Sequence, residues 1–140
     1  MDLSATTHTN AGDYTGDAWT FTDVTGNYND AFGTTDDNIS KADAVIVVTP
    51  YDVVYDAAAH TATATVKGVE GEDLAGMDLS ATTHTNAGDY AGDAWTFTDV
   101  TGNYNDASGT TDDNISKADA VIVVTPYDAV SYTHLRAHET

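Results

Sequence analysis

The sequence predicts an all-β chain built from repeated sandwich domains, and three observations carry that prediction. Residues 1–53 recur as residues 77–129 with only three differences, so the chain is a tandem repeat with a period of 76 residues. Short runs of β-branched and aromatic residues are separated by glycine-containing turns, which is typical of a β-sandwich or barrel. No useful stretch follows the 3.6-residue apolar period of a helix.

The first predicted strands of a unit lie on either side of a proline. Residues 44–49 form a β-branched run that stops at Pro50, which has no N–H to donate to a sheet ladder. We expect residues 51–55 to resume an extended conformation. In residues 61–66 alanine and valine alternate with threonine, which predicts a half-buried strand with a thin apolar face.

Aromatic residues are expected to compensate for that thin face. In residues 94–98, Trp95 and Phe97 fall on one side of a predicted strand, where they would anchor the core. Residues 86–90 read Asn-Ala-Gly-Asp-Tyr and resemble the turn before the tyrosine corner of immunoglobulin-like sandwiches. The Tyr90 hydroxyl would then bond to upstream backbone; an ordinary glycine turn before a strand tyrosine is the alternative.

The composition raises the rival possibility of an unfolded acidic chain. Asp and Glu total 23 against 4 Lys and Arg, a net charge of −19, and Leu, Ile, Val and Phe make up only 24 of the 140 residues. Low aliphatic content with high charge is typical of disorder. The 8 tyrosines, 2 tryptophans and abundant threonines favour strands instead.

The same charge excludes several classes of partner and cofactor. A strongly acidic chain repels nucleic acid and anionic lipid, so we expect neither as a partner. Without cysteine there is no disulfide, thiol nucleophile or cysteine-based metal site. The longest apolar run, residues 44–48, is far too short for a membrane span, so no membrane insertion is expected in this segment.

Unit boundaries are predicted at the repeated Ser-Lys-Ala-Asp segment of residues 40–43 and 116–119, which is interpreted as a linker after the polar stretch 109–114. The complete repeat is then placed at residues 41–117, although an equally periodic frame would run from 1 to 76. In that frame, residues 1–40 are the C-terminal part of a truncated repeat, 118–129 begin a further repeat, and 130–140 are an adapter-derived artefact.

Both ends of the chain depart from a natural domain boundary. Met1 occupies the repeat position of the internal Met77, so we expect the natural protein to begin further upstream. Residues 130–140 break the repeat and resemble the translation of a sequencing-library adapter, so they are excluded from the fold prediction. His134 and His138, spaced i and i+4, would mimic a metal pair on a helix and are set aside with that tail.

Several motifs together resemble a known family. Residues 48–56, His-Thr-Ala at 60–62, residues 86–90 and Gly-Asn-Tyr-Asn at 102–105 are similar to MBG-type repeats, the mostly-β, glycine-rich immunoglobulin-like domains of large bacterial surface proteins. The resemblance extends over the chain up to its tail. Family members commonly carry glycine after the Tyr-Asp pair, whereas this chain has Ala57, which puts a turn of positive φ in doubt there.

The resemblance implies the function that we expect. A repeat of this kind is a non-enzymatic spacer in the stalk of an adhesin-like protein, located outside the cell or on the bacterial surface. Its partners would be the neighbouring repeats of the same chain, and the resemblance supplies no binding site. We expect the truncated repeat 1–40 to be ordered only if it pairs with the intact unit.

Enzymatic chemistry is not expected. Outside the tail the chain has three histidines, His8, His60 and His84, of which the first and last occupy one repeat position. No catalytic Ser-His-Asp order, nucleophile elbow, phosphate loop or HExxH motif occurs. We therefore assign no catalytic, cofactor-binding or metal-binding residue.

A calcium-stabilised or carbohydrate-binding adhesion module is the alternative function. Hard cations prefer several carboxylate oxygens. The candidate calcium ligands are these: Asp112 and Asp113 with Asp43 or Asp119, and the group Glu70, Glu72 and Asp73. We favour a solvated acidic surface over calcium, because such a surface gains solubility and repulsion between neighbouring repeats without any ion. Tyr28 and Tyr104 could stack on a sugar face, or could simply cover the end of the sandwich.

Overall fold

The computed structural model describes residues 1–130, and the regular structure of that part is β-strand with two single-turn 3₁₀ segments. The strands are β1 (Gly12–Phe21), β2 (Ala31–Ile39), β3 (Val45–Thr49), β4 (Asp52–Val54), β5 (Thr63–Lys67), β6 (Met77–Asp78), β7 (Gly88–Phe97) and β8 (Ala107–Ser116). The 3₁₀ turns are Ser4–Thr6 and Ser80–Thr82. The predicted all-β class is confirmed.

The strands of residues 1–130 form three sheets, an arrangement consistent with a β-sandwich. β1 pairs with β2, β3 pairs with β5, and the largest sheet has the order β4-β8-β7-β6. β4 runs parallel to β8, while the other pairs are antiparallel. The hairpin β7–β8 therefore lies at the centre of the largest sheet.

The two sequence copies build the same hairpin. Gly88 pairs with Ile115 in β7–β8, as Gly12 pairs with Ile39 in β1–β2. Both hairpins also shift register at the same place in the repeat. In the second copy the shift contains Gly92, whose φ of 76° suits a residue without a side chain.

The core lies between β5 and the face of β7. Phe97 is 1% exposed and packs with Val66 and Tyr104. Trp95 is half-buried against this group, and its indole lies over Gly109, where an added Cβ would meet the ring at 2.5 Å. The predicted anchoring role of the aromatic pair is thus fully met by Phe97 and partly by Trp95.

The strands predicted around Pro50 and in residues 61–66 are confirmed with small changes of bounds. β3 and β4 lie on either side of the proline. In and before β5, Ala62 and Val66 are buried while the intervening threonines are exposed, as the alternation predicts. Val66, on this buried face of β5, packs against Phe97.

The polar residues 109–114, which precede the expected linker, form part of a strand that the sequence did not predict. They lie inside β8, which bonds to β7 on one edge and to β4 on the other. The polar side chains of this segment gave no apolar alternation from which to predict a strand. The strand is held by backbone pairing with two neighbours, which needs no apolar side chain. The linker is also shorter than expected, since Ala42 already forms a bridge with Tyr104.

Residues 118–130 form no strand, although 121–125 repeat the sequence of β3. β3 is held by its ladder with β5, whose sequence occurs once in the chain. The valines of 121–125 are accordingly exposed. Predictions for residues 131–140, including His134 and His138, lie outside the described residues. Up to residue 130 there is no helix with the length and apolarity to cross a bilayer.

Candidate functional site

A polar cluster lies where β7 and β8 meet the segment before β4. It comprises His84, Tyr90, Asp93, Asp113 and Tyr51. The His84 ring stacks on the Tyr90 ring with centroids 3.6 Å apart, and its Nε2 lies 2.9 Å from Asp93 Oδ2. β7 positions two of these groups, because Tyr90 and Asp93 flank its register shift.

Asp113 is the most deeply placed member of the cluster. Its side chain is 0% exposed, and its Oδ1 accepts a hydrogen bond from Tyr51 N at 3.2 Å. Its Oδ2 has no hydrogen-bond partner. Burial, and then the neighbouring Asp93 carboxyl, raise the pKa of Asp113.

Two tyrosines tie this region to upstream backbone. The Tyr90 hydroxyl donates to Asn86 O at 2.6 Å, so the predicted corner-like bond is confirmed. The Tyr51 hydroxyl donates to Thr82 O at 2.7 Å. Burial, with the Asp113 charge next in size, raises the pKa of Tyr51 to about 12. The Tyr51 hydroxyl therefore remains a donor at neutral pH.

The cluster is organised as a structural network. The hydrogen bonds of the His84 ring within residues 1–130 go to Asp93. The first copy repeats the arrangement, with His8 stacked on Tyr14 at 3.5 Å and bonded to Asp17 at 2.6 Å. His60 likewise bonds to a nearby aspartate.

In the group Glu70, Glu72 and Asp73, the carboxylates of Glu72 and Asp73 are engaged by neighbouring donors, and Glu70 takes part through its backbone N–H. Glu72 Oε1 accepts from the Tyr104 hydroxyl at 2.6 Å, and its Oε2 accepts from Glu70 N at 2.8 Å. The bond from Tyr104 is the largest cause of the lowered pKa of Glu72. Asp73 forms an ion pair with Lys67. These bonds tighten the loop without any ion.

The other proposed calcium ligands lie in different places. Asp112 Oδ1 accepts from Gly92 N, and Asp43 Oδ1 accepts from Asn105 Nδ2. Asp119 lies in the exposed segment after β8. In the part of the chain that the structure describes, no group of three or more His, Asp or Glu side chains could hold a metal ion.

The two candidate sugar-stacking tyrosines differ sharply in exposure. Tyr28 is 72% exposed, whereas Tyr104 is 5% exposed and packs in the core. Tyr104 thus covers the end of the domain, the alternative that the sequence left open. The difference arises because the loop that carries Glu72 covers Tyr104 and has no counterpart over Tyr28.

A compact loop of residues 99–106 lies at the same end of the domain. Asp99 accepts N–H bonds from Thr101, Gly102 and Tyr104, and Asp106 Oδ1 accepts from Asp99 N at 2.8 Å. Partial desolvation is the largest single effect on Asp99 and acts to raise its pKa. The hydrogen bonds that the carboxylate accepts from Thr101, Tyr104 and Gly102 together outweigh it and lower the pKa of Asp99 to about 2. The loop is therefore held by a charged side chain at neutral pH.

This loop contacts the preceding repeat, and we call the contact the repeat joint. It comprises Asn10, Ala11, Ala42 and Asn103. Ala42 N donates to Asn103 O at 2.9 Å. Asn103 Oδ1 accepts from Ala11 N at 2.8 Å, and Asn103 Nδ2 donates to Asn10 Oδ1 at 3.3 Å. Sequence reasoning missed this role, although Gly-Asn-Tyr-Asn occurs once in each copy.

Comparison with known proteins adds no relative to this description. No family model, curated protein or solved structure matches the chain.

Proposed function

We propose that this chain is a non-enzymatic spacer, an array of MBG-type, immunoglobulin-like β-sandwich repeats in the stalk of a large extracellular bacterial surface or adhesin-like protein. Residues 41–117 form one complete repeat in this proposal, and residues 1–40 and 118–129 belong to its neighbours. The pairing of β4 with β8 supports that frame, since it joins the two ends of 41–117.

The observation that carries the proposal is the contact between successive copies. The hairpin β1–β2 of one copy meets the loop of residues 99–106 in the next through the repeat joint. Units that contact mainly their neighbours in sequence build an elongated array. A stalk needs this property, because each added unit must increase the distance between its ends.

The acidic surface supports the same role. Neighbouring domains of near-identical sequence can pair wrongly, since each presents the strands of the other. The net charge of −19 gives every repeat a strongly negative surface. Repulsion between such surfaces favours solubility and opposes lateral association. The charge thus has a physical role that requires no bound ion.

The proposal is tested by the length of longer arrays. Chains would be made by adding one, two and three further 76-residue periods, and their maximum dimension measured by small-angle X-ray scattering. A strand of 10 residues such as β7 spans about 33 Å, so we expect a constant increment of that order for each added period. A maximum dimension that stays constant as periods are added would refute the spacer function.

A calcium titration of the same arrays distinguishes the alternative adhesion module. We expect the thermal midpoint to be the same in chelator and in millimolar calcium. Glu72, Asp112 and Asp43 already accept protein donors, and in residues 1–130 no group of three or more His, Asp or Glu side chains could hold the ion. A rise of many degrees with calcium would show preferential binding to the folded state and favour the alternative.

A further inference from the structure

We propose that the loop of residues 99–106 is a docking element that holds each repeat in one orientation relative to the preceding repeat. In this proposal Asn103 recognises the Asn-Ala turn of the preceding copy. The inference rests on the proposed spacer function and adds to it that the stalk is stiff at its joints. The partner of the loop is the neighbouring repeat of the same chain.

The connection between the copies is very short. β2 ends at Ile39, and Ala42 is already bonded on both sides to the loop, through Asn103 O and Asn105 N. Only Ser40 and Lys41 lie between these fixed points. A short tether gives the Asn-Ala turn a high effective concentration beside the loop, so few direct contacts are needed to hold it.

The loop is formed before it meets a partner. In the first copy Asp23 accepts N–H bonds from Thr25 and Tyr28, both at 3.1 Å, and Asp30 accepts from Asp23 N. These bonds match those of residues 99–106, although within residues 1–130 the first loop makes no joint. Because the loop is already ordered, docking loses little of its conformational entropy. A contact with few hydrogen bonds can therefore still be favourable.

Polar contacts carry the orientation, because apolar packing is incomplete at the joint. A cleft of about 460 Å³ lies between the two repeats, with Ile39 and Ala11 on one side and Leu74 and Val69 on the other. The side chain of Asn103 is bonded to both Ala11 N and Asn10 Oδ1 beside this cleft. Loss of that side chain should free the hairpin while leaving the linker contact of Ala42 intact.

The far end of the intact repeat presents the matching turn. Residues 86–87 are the second copy of the Asn-Ala turn, and they lie beside Ala118, the second copy of Ala42. In an array this surface receives the loop of the following repeat, whose sequence is that of residues 99–106. One joint geometry is then repeated along the whole stalk.

The test uses the full 140-residue chain and its internal duplicate as a control. Since the chain contains no cysteine, Thr35→Cys on β2 and Thr65→Cys on β5 provide two unique spin-label sites, and both positions are exposed. Double electron–electron resonance then reports the distance distribution across the joint. We expect one narrow distribution in the labelled parent chain.

Asn103→Ala should broaden that distribution and raise the undocked population about fivefold, the change expected for a hydrogen bond with a net value of about 1 kcal/mol. Asn27→Ala, the same substitution in the first copy, should leave it unchanged. Asn10→Ala should broaden the distribution less. Asn86→Ala, the equivalent substitution in the second copy, should leave the distribution unchanged. The backbone bonds of Asn103 are kept in every variant, and unchanged far-ultraviolet circular dichroism would show that the repeat still folds.

A distribution that stays equally narrow in Asn103→Ala, or broadens equally in Asn27→Ala, would overturn the role of Asn103. A broad distribution in the parent chain would overturn the fixed joint itself. That outcome would leave the spacer function standing, because a flexible array still lengthens with each added period. A compact array in the scattering experiment would remove the spacer function instead.

Discussion

Replacing Phe97 with alanine tests the core of the intact repeat, and the duplicated sequence supplies a matched control. Phe97 is 1% exposed and packs with Val66 and Tyr104, whereas the equivalent Phe21 is only half-buried. Truncation of a fully buried phenylalanine costs about 3–5 kcal/mol, through lost transfer energy and the cavity left behind. The small domain has a total stability of only about 5–15 kcal/mol, so this loss is a large part of it.

The assay is urea unfolding followed by the fluorescence of Trp95, in a Trp19→Phe background shared by all variants. We expect Phe97→Ala to lower the free energy of unfolding by about 3 kcal/mol or more. Phe21→Ala should change the same transition by less than about 0.5 kcal/mol, as for a substitution away from the packed region. Equal effects of the two substitutions, or no cooperative transition in the parent, would refute the assignment of the core.

Three further predictions follow from the same structure. Burial and Asp93 raise the pKa of Asp113, so its protonated form contributes stability at low pH that is lost as pH rises through the folded-state pKa. Asp113→Asn removes this contribution, so the thermal midpoint of the variant relative to the parent should rise from pH 3 to 7, and a constant difference between the two proteins would contradict the raised pKa. Ala57 has φ 65°, a conformation that favours glycine, so Ala57→Gly should stabilise the repeat by about 0.5–1 kcal/mol in urea unfolding, and destabilisation would show that the turn is not strained. Amide exchange by mass spectrometry should be faster in 12–39 than in 88–116, because within residues 1–130 the packed core covers the second hairpin; equal protection would mean that the first hairpin is stabilised in another way.

The parts of the fold that follow local rules could be predicted from the sequence. The threonine alternation before Lys67 identified β5, and the turn of residues 86–90 identified the bond from Tyr90 to Asn86 O. Both depend on residues close together in the chain. Ala57 shows the limit of such rules, since it adopts the positive φ that its residue type disfavours.

The sequence by itself determined that the chain repeats every 76 residues, that it is all-β, and that aromatic residues anchor a thin core, because each of these depends on residue order and strand periodicity. Only the tertiary structure decided the partners of β8, the burial of Asp113 and the contact of Asn103 with Ala11. These contacts join residues far apart in sequence. A polar side chain gives no local sign of such a partner, since its burial becomes favourable only when a distant backbone group supplies the hydrogen bond.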